Sequence, residues 1–189
     1  MGKYSSYTDN DLMQGILDKD SYAFSEIYDR YNGLLVNYFY KMLWQDKEKA
    51  QDFMQDLFAK IIEKPHLFDL KRNFKTWLFS VAHNMCKNEY RKQSIRHNTS
   101  YDIEEGIQIK DTAMDAMDSL QDSQFSEKLR IELDQLEEKQ KSAFVMRYFQ
   151  ELSIKEIAET LKISEGTVKS RLFYTLKKLT VSLKDFAPQ

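Results

Sequence analysis

Proline is almost missing from this 189-residue chain, which has 2, and glycine is scarce at 5. Sandwiches and barrels need many tight turns built from those residues, so they are not expected, and collagen-like and proline-rich disordered architectures are excluded. The single cysteine, Cys86, cannot close an internal disulfide or build a cysteine-rich zinc site. His66, His83 and His97 are too scattered for a metal centre, so neither metal nor cofactor is expected. No apolar run approaches the ~18 residues of a membrane span. The opening MGKYSSYTDNDLMQGILDKD lacks the uninterrupted apolar stretch of a secretory signal. There is no glycine-rich phosphate loop, and no Ser/His/Asp set or carboxylate pair stands out. Catalysis by this chain alone is therefore not expected. Net charge is also small, at −2. What is present is 42% apolar and 31% charged residues, which fits a soluble, cytoplasmic, mostly helical protein.

The small net charge hides a segregated one. Residues 71–97 carry Lys71, Arg72, Lys75, Lys87, Arg91, Lys92 and Arg96 against only Glu89. Residues 98–127 carry eight acids against only Lys110. Residues 165–184 carry Lys169, Arg171, Lys177, Lys178 and Lys184 against Glu165. Two basic blocks flank an acidic middle, a pattern of interaction surfaces or of solvated helix faces.

Periodicity separates these readings. Asp20 or Ser21 caps a helix running through AFSEIYDRYNGLLVNYFYKML, and Asp46 caps DKEKAQDFMQDLFAKIIEK, which Pro65 ends. In the latter, Ala50, Met54, Leu57, Phe58 and Ile61 recur at helical spacing, with Asp52, Gln55, Asp56 and Glu63 opposite. After HLFDLKRN comes FKTWLFSVAHNMCKNEYRK. There the expected buried stripe is Phe74, Trp77, Leu78, Val81 and Met85, with Ser80, His83, Asn84, Lys87 and Arg91 across from it. Cys86 lies beside that stripe and reads as a small core residue rather than a nucleophile. Phe68 sits in the polar loop beside Lys71 and Arg72, where an aromatic ring either joins the core or stacks an unpaired base. Residues 94–127 lose periodicity and read as a flexible acidic linker. Such a stretch is unusual within one domain, so two small helical domains are expected, at 1–93 and 128–189.

The second block breaks into short helices. Ile154, Ile157, Ala158 and Leu161 form one stripe; Val168, Leu172, Leu176, Leu179 and Leu183 form another. A short turn joins them, with Ser164 as cap. This is a helix-turn-helix pattern, the alternative being an ordinary helical hairpin. Gly166, Ser170, Tyr174, Lys177 and Lys178 face outward, flanked by Lys169, Arg171 and Phe173, which suits a helix in the major groove. Lys162 occupies the turn position where glycine is easiest, at a cost of about 1 kcal/mol.

AQDFMQDLF, FKTWLFSVAHN, the acidic linker and IKEIAETLKISEGTVKSRL, in that order, resemble an extracytoplasmic-function (ECF) sigma factor of bacterial RNA polymerase over about residues 20–183. The resemblance implies an all-α protein with a region 2 domain, a linker and a region 4 domain. It implies that Asp52, Gln55, Asp56 and Phe58 dock on the clamp helices of the largest polymerase subunit, and that the flap of the second-largest subunit is also a partner. Phe68, Lys71, Asn73, Val81 and Asn84 would capture a flipped base of the minus-ten element, with Lys87, Asn88, Arg91 and Lys92 on nearby phosphates. Thr167, Lys169, Ser170, Arg171, Phe173, Tyr174 and Lys177 would read the minus-thirty-five duplex. Tyr174 replaces a commonly basic position and His83 a common arginine, so base preference does not transfer. An anti-sigma partner is implied, whereas a small-molecule substrate and membrane insertion are not. The acidic linker either occupies the RNA channel or merely tethers. The competing class is a stand-alone helix-turn-helix regulator, which predicts tight operator binding by the isolated protein.

Overall fold

Four short polar side chains placed just ahead of apolar periodicity fix where helices begin. Asp20 accepts from the Tyr22 amide at 2.9 Å and starts α2, Ser21–Met42. Asp46 accepts from the Lys49 amide at 3.0 Å and starts α3, Lys47–Glu63. Ser153 and Glu156 close a capping box ahead of α7, Ile154–Leu161. Ser164 accepts from the Thr167 amide at 3.1 Å ahead of α8, Glu165–Ser182. Each cap satisfies an amide that the first turn leaves without a helical partner.

The computed structural model describes residues 4–99 and 120–186, with no strand among them. The remaining helices are α1, Asp9–Leu17; α4, Phe74–Thr99; α5, Leu120–Asp134; and α6, Glu138–Tyr148. Short 3-10 turns occupy Pro65–Leu67 and Lys184–Phe186. The expected all-α class holds, with α1–α4 forming one half and α5–α8 the other.

Two differences from the sequence reading concern extent. Sequence reasoning did not identify α1, although Thr8 and Asp11 form a capping box at its start. Its one special packing position is Gly15, where an added Cβ would lie 2.8 Å from the Cβ of Ala23 on α2. The linker expected at 94–127 is also helical at both ends, since α4 continues to Thr99 and α5 begins at Leu120. Polar residues without proline or glycine permit that continuation. Residues 100–119, the rest of that linker, lie outside the described residues.

The buried ridge of α4 is Phe74, Leu78, Phe79, Ala82 and Cys86. This corrects the expected stripe, because Trp77, Val81 and Met85 are only half-buried. Trp77 and Val81 line an open cleft beside α3 instead, and another side of the helix is covered by the C-terminal half, with α7 against α4 and α6 against α2. Ser80 Oγ donates to the Thr160 carbonyl at 2.9 Å, and Thr160 Oγ1 to the Thr76 carbonyl at 3.4 Å. Lys75 Nζ donates to the Gln150 carbonyl at 3.1 Å, and Gln150 Nε2 to Asn37 Oδ1 at 3.3 Å. Lys41 lies 3.8 Å from the centre of the Phe149 ring, and Gln45 Nε2 donates to Asp134 Oδ2 at 2.8 Å. On α8 the buried positions are Val168, Leu172, Thr175 and Leu179, while Leu176 is 40% exposed, which corrects the expected apolar stripe.

Glycine scarcity has a structural cost. Lys19, Trp44, Gln45, Glu151 and Lys162 all have positive φ, at helix ends or turns. Lys162, at φ 55° and ψ 48°, carries the turn between α7 and α8. A β-carbon is strained there by about 1 kcal/mol. Lys162→Gly is therefore expected to raise thermal stability, by about 2–4 °C for a chain of this size. A calorimetric scan showing no rise, or a fall, would contradict the strain assigned to that turn.

Candidate nucleic-acid interface

The loop between α3 and α4 is held from three sides. Asn10 of α1 donates through Nδ2 to the carbonyls of Leu70, at 2.6 Å, and Arg72, at 3.0 Å. Asp69 Oδ1 accepts from the Lys71 amide at 3.0 Å, and Asn73 Oδ1 from the amide of Thr76 at 2.9 Å and its hydroxyl at 3.1 Å. Lys71, Arg72 and Asn73 are thus pinned at the backbone and exposed at the surface. Sequence reasoning missed Asn10 because its role depends on contacts some 60 residues away.

Phe68 requires a correction. It is 3% exposed, edge-on to Phe74 at 5.3 Å and tilted against Trp77 at 5.1 Å. In this conformation its ring floors the loop and is not free to stack a base. Beside it opens an apolar cleft of about 270 Å³, lined by Leu57, Ile61, Leu67, Trp77 and Val81, with Lys60 and Lys64. Val81 thus lies in a concave site, while Asn84 one turn on is exposed.

Further along α4, Lys87, Asn88, Arg91 and Lys92 are all exposed and form a basic, hydrogen-bonding surface. The adjoining edge, one turn back from Lys87, enters the seam with the C-terminal half. There His83 Nε2 lies 3.6 Å from Glu138 Oε1, too far for a hydrogen bond. His83 Nδ1 and Glu138 Oε1 are both buried without a hydrogen-bond partner among the described residues. Burial, aided by the cations Lys87 and Arg171, pulls the imidazole down to about 4. Burial raises the Glu138 carboxyl above its ordinary value, against the pull of Lys87, Arg171 and Lys139.

On α3, Asp52, Gln55 and Asp56 are exposed and have no ion-pair or side-chain hydrogen-bond partner among the described residues. Phe58, grouped with them by resemblance, faces the other way. It is 3% exposed and packs against Phe24 and Tyr28 at 5.9 and 4.8 Å. As a docking residue it is therefore corrected: it supports the helix whose outer side is polar.

On α8, Lys169, Ser170, Phe173, Tyr174 and Lys177 are exposed and Thr167 is half-buried near the cap. Arg171 departs from the expected face, since its guanidinium turns back to the Lys139 carbonyl at 3.5 Å. Two separate surfaces, on α4 and α8, thus present basic and polar side chains outward while α7 is packed against α4 between them.

Comparison with known proteins adds to this geometry. Residues 27–95 match the family described as "Sigma-70 region 2" and residues 126–179 the one described as "Sigma-70, region 4". The chain is 30% identical over 172 residues to the "ECF RNA polymerase sigma factor SigW" of Bacillus subtilis, covering 88% of this chain and 91% of the relative. In fold it is similar to CnrH, solved with the cytosolic domain of CnrY, at a TM-score of 0.70 and 18% identity, covering 95% of this chain and 99% of that one. It is likewise similar to the sigma factor RpoE, solved with the anti-sigma factor NepR from Bartonella quintana, at a TM-score of 0.59 and 24% identity, covering 83% and 98%.

The seam makes its own prediction. An ordinary imidazole titrates near 6.5. A group whose pKa falls on burial binds its proton better when the halves part, so the His83 contribution to closure weakens as pH drops from about 6.5 toward 4. Glu138 acts in the opposite sense, because its raised pKa favours the packed form as it takes up a proton. Proton NMR should find the His83 ring titrating near 4, and a midpoint near 6.5 would contradict the packed seam.

Proposed function

The chain belongs to the ECF sigma factors of RNA polymerase, and from that membership we propose how its surfaces divide the work of initiation. It is an alternative sigma factor that binds RNA polymerase and promoter DNA and directs transcription initiation; a stand-alone helix-turn-helix regulator is not favoured. Sigma factors act as regulators rather than catalysts. No helix among the described residues is long and apolar enough to cross a membrane. We assign the chain to the cytoplasm, where the polymerase works.

The observation that carries the finer reading is the pair of outward faces, one on α4 and one on α8, left open by the packing between the halves. In this reading α8 lies in the major groove of the minus-thirty-five duplex, with Thr167, Lys169, Ser170, Phe173, Tyr174 and Lys177 toward it. Phosphate contacts set the register and base contacts the preference. At the minus-ten element, Val81 and the exposed Asn84 one turn on receive a base taken out of the stack, and Trp77, which lines the cleft with Val81, supplies an apolar wall. Lys71 and Asn73 border the site, and Lys87, Asn88, Arg91 and Lys92 hold the strand. Unstacking costs a few kcal/mol, which these contacts offset in part, so opening follows binding without ATP.

Asp52, Gln55 and Asp56 dock on the clamp helices of the largest subunit, and region 4 docks on the flap of the second-largest. Solvated, unpaired acids on α3 are available for a partner's cations without breaking any internal bond. An anti-sigma protein is a further partner in this reading, as NepR is for RpoE.

Two variants test the assignment. Asp52→Arg should weaken core binding at least ~10-fold, the scale of a charge pair made repulsive at an interface. Fluorescence anisotropy of labelled chain against core polymerase reads this, and parental affinity would remove that face from the interface. Asn84→Ala should leave core affinity unchanged and cut promoter opening about 10-fold, the loss of roughly one to two hydrogen bonds. Permanganate reactivity of unpaired thymines measures the opening, and parental reactivity would exclude Asn84 from the strand-capture site.

A further inference from the structure

The outer face of α8 carries an aromatic pair with no internal packing role. Phe173 and Tyr174 are 62% and 60% exposed, and their rings meet edge-on with centroids 5.4 Å apart. They lie on either side of the Ser170–Lys177 line, at the centre of the outward face. Apolar surface this exposed, beside a core that buries Leu172 and Thr175, is normally explained by a partner. The surrounding charge indicates which kind: Lys169 and Lys177 are exposed around the pair, Lys178 leans toward the Gln135 carbonyl at 3.4 Å, and the one acid on the helix, Glu165, lies at its first residue. That frame suits a polyanion rather than a second apolar protein surface.

A helix in the major groove meets hydrogen-bonding groups on every base, but thymine alone among the four bases presents a methyl carbon there. The commonest specific contact, an arginine fork on guanine, needs a free guanidinium. α8 has a single arginine, Arg171, which stands at the flank of the outward face with one guanidinium nitrogen 3.5 Å from the Lys139 carbonyl, away from the Phe173–Tyr174 pair. Lysines give charge without the planar fork.

We propose that the Phe173–Tyr174 pair reads thymine methyl groups in the duplex promoter element. Base preference at those positions is then set by apolar contact rather than by arginine bonds to guanine. The inference rests on α8 being the duplex-reading helix. Tyr174 is the principal reader and Phe173 braces its ring edge-on.

The test uses holoenzyme assembled from core polymerase and the full chain. Duplexes selected by that holoenzyme from a randomised pool are resynthesised with deoxyuridine in place of each thymine in turn, which removes only the methyl. The parent should lose about fourfold in affinity at one or two positions, the scale of one buried methyl group. Tyr174→Phe should keep that loss, and Tyr174→Ala should abolish it while still binding. Since the ring is exposed, both variants are expected to fold, which circular dichroism checks. The proposal is overturned if the parent binds uracil and thymine duplexes equally, or if Tyr174→Ala retains the full methyl penalty. It is also overturned if Tyr174→Phe loses the penalty, which would assign the contact to the hydroxyl. A parent that enriches no duplex motif upstream of the melted segment overturns the underlying duplex-reading role instead, a separate readout from the methyl comparison.

Discussion

α4 has to serve three environments at once, and the rest of the molecule is arranged around that demand. One ridge, Phe74, Leu78, Phe79, Ala82 and Cys86, holds its own half together. A second edge, through Thr76, Ser80 and His83, meets the C-terminal half. The remaining surface, from Asn84 to Lys92, stays polar and basic. A helix with three assignments cannot show one clean apolar stripe. The aromatic cluster of Phe68, Phe74 and Trp77 fixes the start of this helix, and Asn10 fixes the loop ahead of it.

The seam joins an apolar core that is continuous through both halves to a fringe of polar contacts. Its hydrogen bonds run from side chains both to backbone carbonyls and to other side chains, and it leaves buried atoms of His83, Glu138 and Gln150 without partners among the described residues. Each such atom carries a desolvation cost. The contact between halves therefore sets apolar packing against that polar cost. Joining two weak readers raises affinity through effective concentration, but only when something holds them at the right spacing. With a net charge of −2, the chain has little general attraction for DNA, so in this account the polymerase supplies the hold.

Much of this was legible beforehand for local reasons. Asp20, Asp46 and Ser164 announce their helices because a cap is read within three residues. The outward face of α8 followed from its spacing, as did the polar side of α3. Three features depended on contacts that a linear pattern does not contain. Trp77, Val81 and Met85 look like core by periodicity, yet Trp77 and Val81 line an open cleft. Phe68 lies in a polar stretch, yet turns inward because Phe74 and Trp77 offer edges to it. Arg171 belongs to the reading face by position, yet bonds to a carbonyl of α6. Helix α1 escaped notice although its capping box is a local signal, because the run behind it is short.

On this reading the chain directs initiation only as a subunit of the polymerase. Run-off transcription on fragments of its own genome, with core polymerase alone and with the chain added, tests this most directly. Discrete transcripts that need both components are expected, together with no specific retention of the same fragments by the chain alone. Absence of any chain-dependent transcript, combined with tight sequence-specific retention by the isolated chain, would contradict it.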